Sequence, residues 1–303
     1  LIKGEFLLTN PQKKLKKDID HLIQAIQIIQ STGDGKKLRD LSRGYRSDRN
    51  RIHNEILHKY EDLLAVIQGI RKLSIISIQN IDILVNKNEC DFNECIKRYN
   101  ALNPLMIKYI DIFDEIFCLM ENGFPDGAMQ RWRTLLEYSI IIIFILEQGE
   151  EIAEAYDHNF KKALEDNLRP RTNFAWAKAA ACLKEEKQIS LTKLLYHING
   201  IDSEMKIRYR AMYKLTSQFI HGSSVGVNMS FNDYISMDIN DYNQKNANYY
   251  AGGISTVITH TMGLFLRTFI LYFNVFPDGG LGIKKLWKEL SDEYVKIVYK
   301  SLI

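Results

Sequence analysis

Apolar residues recur along most of this chain at steps of three and four. Leu22, Ile23, Ile26 and Ile29 form one stripe, and Ile52, Ile56, Leu63, Leu64, Ile67 and Ile70 form another. Asp111–Met120 and Met129–Leu146 repeat the pattern. This is the period of an α-helix, and it leaves little room for strands. It predicts helices over 12–30, 36–45, 48–86, 91–99, 103–121, 125–147, 150–164, 172–186, 190–197, 202–221, 244–274 and 283–300. Turn residues separate them at Ser31-Thr32-Gly33-Asp34-Gly35 and at Asn122-Gly123-Phe124-Pro125. One segment departs from the helical period. Val225, Val227, Met229 and Phe231 alternate with small or polar residues, then Asn232-Asp233 leads into Tyr234–Ile239. That reads as a two-stranded hairpin, and a long irregular insertion there also fits a lid or binding loop. The expected fold is therefore an all-α multi-helix bundle with room for one small β-hairpin after residue 222.

Charge distribution divides the expected bundle. Residues 1–100 are the more charged and read as an N-terminal helical hairpin lobe; 101–303 are more aromatic and read as the main bundle. With 303 residues, 46% of them hydrophobic and 25% charged, the chain can bury a core without cross-links. A net charge of +3 does not by itself make a general nucleic-acid binder, although Lys13–Lys17 and Arg39–Arg51 supply local basic runs. Four cysteines, Cys90, Cys95, Cys118 and Cys182, match neither a redox pair nor a zinc half-site. No metal or cofactor is expected. Residues 1–10 lack the pattern of a secretory leader, so a cytoplasmic location is the expectation. Tyr138–Leu146 is too short to span a bilayer, and Ile254–Phe276 carries His260 and Arg267 in its interior. Both are expected to be buried helices with no membrane role.

Candidate chemistry sits at two one-turn spacings. Arg133 and Glu137 share one helical face among Trp132, Leu135, Leu136, Ile140 and Ile141. Tyr213, Ser217 and His221 form a stripe two turns long on a later helix. Polar groups in such surroundings need partners, and the nearest are one another, so a single polar cluster is expected. Arg131 lies about 160° around the helix from Arg133 and is expected at the surface. Within the cluster Arg133 is suited to hold a phosphate, His221 to move a proton and Glu137 to orient either of them. Tyr213 and Ser217 would act as supporting donors. Trp176 is a candidate aromatic platform for a ligand, with a core anchor as the other reading. No P-loop, dinucleotide fingerprint, metalloprotease helix or calcium loop is present.

Arg133-Thr134-Leu135-Leu136-Glu137, the apolar run after it, and Tyr213 through His221 resemble a group of bacterial helical proteins known as a domain of unknown function. The resemblance covers about residues 110–270. Those proteins turn up beside toxin–antitoxin and anti-phage systems and look distantly like HEPN-type helical domains. Arg46 with His53, and Arg51 with His58, also resemble the arginine–histidine spacing of HEPN ribonucleases. An RNase of that type carries both residues on one helix, whereas Arg133 and His221 fall on different ones. The resemblance implies a cytoplasmic defence or toxin-type effector whose Arg133, Glu137, Ser217 and His221 bind or act on RNA or a nucleotide, with a partner protein of a defence system. The alternative is a non-catalytic helical interaction module or homo-oligomer in which the polar cluster is structural.

Overall fold

The computed structural model describes residues 36–87, 91–165, 174–220, 247–277 and 282–301. The expected helix at 12–30, the hairpin after residue 222 and His221 lie outside these residues. Among the described residues there are nine α-helices and no strand, which makes the molecule an all-α bundle. They are α1 (Lys36–Lys59), α2 (Glu61–Asn86), α3 (Ile96–Glu121), α4 (Pro125–Gln148), α5 (Glu150–Glu165), α6 (Leu191–Tyr196), α7 (Ser203–Ile220), α8 (Ala247–Val275) and α9 (Ile283–Ser301). The chain divides into two compact units, Leu1–Glu55 and Ile56–Ile303. In the first, Arg51 pairs with Glu55 one turn away.

Local chemistry sets most helix ends. Helix α3 stops at a Schellman turn: Gly123, with φ of 74°, donates to Met120 O, and Phe124 donates to Leu119 O. Pro125 then opens α4, where its missing N–H costs nothing. The start of α3 is capped from a distance, because the Glu150 carboxylate accepts from the backbone N–H of Lys97 at 2.7 Å and of Arg98 at 3.3 Å. Arg98 in turn donates to Glu150 at 2.6 Å and to the carbonyl of Leu146 near the end of α4. One arginine–glutamate pair thus joins three helix termini.

Three expectations differ from the structure. The helices expected over 36–45 and 48–86 are instead Lys36–Lys59 and Glu61–Asn86, with the break at Tyr60, and the break expected between 91–99 and 103–121 is absent. Helix α3 runs through Pro104, whose missing hydrogen bond costs about 3 kcal/mol in a helix interior. Buried Leu102, Leu105, Met106 and Tyr109 around it offset that cost by tertiary packing. The helix expected over 172–186 is instead two short 3-10 turns, Ala175–Ala179 and Ala181–Leu183, with Ala180 extended between them. Trp176 explains the change: it is 5% exposed, with its ring centroid 5.1 Å from Tyr156 and 6.0 Å from Phe144. Anchoring that ring outweighs the helix preference of the alanines around it.

Helix α4 is the hub, packing against α3, α5, α6, α7 and α8. Its Trp132, Leu135, Ile142, Ile143 and Phe144 are fully buried. Aromatic rings of α3, α8 and α9 fill the opposite side, with Phe269 stacked on Trp287 and Tyr109 stacked on Phe265. Among the described residues no helix is long and apolar enough to cross a membrane.

Candidate functional site

Arg133 and Glu137 stand one turn apart on α4, facing Tyr213 of α7. Arg133 Nη2 donates to the Tyr213 hydroxyl at 2.7 Å, and that hydroxyl donates to Glu137 Oε1 at 2.9 Å. Arg133 Nε lies 3.4 Å from the same carboxylate oxygen, closing the ring of contacts. The guanidinium carbon also sits 4.3 Å from the centre of the Tyr213 ring, a cation–π distance. Burial, followed by the Glu137 contact among the raising effects, lifts the Tyr213 phenol above its ordinary value, so the phenol stays protonated and can donate.

The cluster is half-buried rather than sealed. The side chains of Arg133 and Glu137 keep 21% and 36% of their exposure. Arg133 Nε is itself buried and has no hydrogen-bond partner among the described residues. Ser217 is near in sequence but spends its hydroxyl on the Tyr213 carbonyl at 2.7 Å, the one-turn back-bond common for serine in helices. Arg131 points elsewhere and pairs with Glu115 of α3. Trp176 is a core anchor and does not join the cluster. The structure therefore brings Arg133, Glu137 and Tyr213 together, with Ser217 beneath them. His221 follows the last residue of α7 and lies outside the described residues. Among the described residues no group of three or more His, Cys, Asp or Glu could hold a metal ion.

Sequence reasoning missed a second polar region. Helices α7 and α8 both pack on α4 but make few contacts with each other, and a cavity of about 930 Å³ opens between them and α9. Arg208 and Tyr209 of α7 and His260, Gly263 and Arg267 of α8 line it. The available signal was the seven-residue step from His260 to Arg267 in an otherwise apolar run, which places both on one face. Arg267 is held by a relay: the Glu147 carboxylate accepts from the N–H groups of Asn199 at 2.7 Å and Gly200 at 2.6 Å, and Arg267 donates to the Gly200 carbonyl at 2.9 Å. A Cβ on Gly200 would lie 2.8 Å from Glu147 Oε1, so a larger residue there would push the carboxylate aside.

Burial, and secondarily the charge of Arg208, holds His260 below its ordinary value of 6.5. The unfolded chain then binds the proton more readily than the folded one. Stability is expected to be full above about pH 6.5 and to fall as pH drops below it. Melting temperatures measured from about pH 8 to about pH 5 should show this decline, and His260→Gln should flatten that part of it. An unchanged slope in the variant would rule His260 out as the source.

Comparison with curated proteins and with solved structures finds no match. Residues 99–243, which span α3 to α7 and contain both polar spacings, match a family model described as a family of unknown function (DUF5677).

Proposed function

We propose that the protein is a cytoplasmic bacterial effector of the defence or toxin type that binds or acts on a phosphate-bearing ligand, RNA or a nucleotide, at the Arg133 cluster. One observation supports this above the rest: Arg133, Glu137 and Tyr213 converge from two helices while the arginine and glutamate stay partly open to solvent. In this reading the guanidinium grips phosphate oxygens, because its planar fork suits them. Glu137 and Tyr213 fix its orientation, and His221, next in sequence after α7, supplies the proton transfer.

A second reading has its own support. Ser217 is bonded to backbone, and the Tyr213 hydroxyl bonds both Arg133 and Glu137, as in a device that pins α7 to α4. The protein would then be a non-catalytic interaction module or homo-oligomer. Induced expression of wild type, Arg133→Ala and His221→Ala in bacteria separates the two. Growth arrest with fragmented RNA, lost in both variants while they remain folded, is the expected result. Harmless wild type with intact RNA removes the nuclease reading. A large fall in melting temperature in both variants with activity unaltered assigns the cluster a structural role.

A further inference from the structure

We infer that the cavity between α7, α8 and α9 is a binding site for a small amphipathic anion, an apolar body with a carboxylate, sulfonate or phosphate head. Its volume of about 930 Å³ falls in the range of small-molecule pockets. Apolar side chains such as Met205, Met212 and Ile270 form much of the wall. The charged groups are of one sign: Arg208 and Arg267 from facing helices, and no carboxylate among the lining residues. Asp202, paired with Arg267 at 3.9 Å, and Glu204, paired with Arg208, do not line the cavity; they are 61% and 73% exposed to solvent, where water screens the pairs.

Two features indicate space kept for a ligand. Gly263 occupies the interior of α8, where glycine costs about 1 kcal/mol relative to alanine. Neither packing nor backbone requires it: a Cβ there would meet nothing within 4 Å, and its φ is not positive. What a side chain at 263 would occupy is the cavity. Tyr294 of α9, 4% exposed, lines the same space, and its buried hydroxyl has no hydrogen-bond partner among the described residues. Buried hydroxyls are rarely left so, and a polar group on a ligand is a natural partner. Burial keeps His260 neutral near pH 7, so it can donate or accept beside the two fixed positive charges.

The test uses the full chain with anilinonaphthalene sulfonate as fluorescent probe, and decanoate and decanol as competitors. Wild type is expected to bind the probe saturably and release it to decanoate. Gly263→Leu, which fills the cavity, should weaken binding by about tenfold or more without lowering the melting temperature, while Gly263→Ala retains it. Arg208→Gln removes an exposed side chain whose ion pair is with Glu204, so folding is preserved; it should weaken decanoate by about tenfold and leave decanol unchanged. Probe binding unaltered by both Gly263→Leu and Arg208→Gln overturns the site. Decanol competing as well as decanoate overturns the anionic head.

Discussion

Phe269→Ala is expected to destabilise the protein by about 3–5 kcal/mol, the range for removing a buried aromatic ring. Phe269 is fully buried on the inner side of α8. Its ring centroid lies 4.6 Å from Trp287 in a near-parallel stack, 4.6 Å from Phe265 and 5.8 Å from Phe273. Tyr109 closes the group from α3 at 6.4 Å. Helices α3, α8 and α9 meet at this ring, and their backbones cannot collapse into the void independently. Trp287 is further tied to α2 by its indole N–H, which donates to Ser77 Oγ at 3.1 Å. Urea unfolding of the variant should show a large drop in midpoint with little change in slope. Ile107→Ala, at a side chain 52% exposed, should cost no more than about 0.5 kcal/mol. A loss at Phe269 as small as that at Ile107 would mean that the aromatic group does not hold the bundle together.

Where the fold could be read in the sequence, a single amphipathic period sufficed. Leu63, Leu64, Ile67 and Ile70 were legible as one stripe, and all four are buried on α2. The same logic made Arg133 and Glu137 legible, since two charged groups one turn apart on an apolar helix have few other ways to be satisfied. Tyr213 followed from its place on the polar stripe of the later helix. Ser217 was ambiguous because a helical serine fits a back-bond and a site donor equally well, and the sequence carries nothing that separates them. The unbroken α3 across Pro104 and the Ala175–Leu183 turns were not legible, because local rules for proline and alanine are outweighed by burial of Tyr109 and Trp176, which depends on distant residues. The cavity was not legible at all. It lies between α7, α8 and α9, and depends on how three helices distant in sequence are placed.

A polar knot ties α8 to α3 and α4, and it bears on which residues of α8 face that cavity. Thr268 Oγ1 donates to the Leu264 carbonyl at 2.8 Å, which leaves it to accept from Ser139 at 2.7 Å and from Tyr109 at 3.1 Å. All three side chains are fully buried, and burial raises the Tyr109 phenol far above its ordinary value. Thr268→Val keeps the shape but strips both donors of their acceptor. At about 1–3 kcal/mol for each stranded hydroxyl, the expected loss is about 2–6 kcal/mol. The triple variant Tyr109→Phe, Ser139→Ala, Thr268→Val strands nothing and should recover most of that loss in urea unfolding. A triple variant no more stable than the single would show that the cost came from packing and not from unpaired donors. Probe binding in the same variant then isolates the knot's second role. His260, Gly263 and Arg267 share a face roughly 100° around α8 from Thr268, so binding retained in the triple variant assigns the rotation of α8 to its aromatic packing. Binding lost while stability recovers assigns it to the knot, whose hydrogen bonds constrain direction as well as distance.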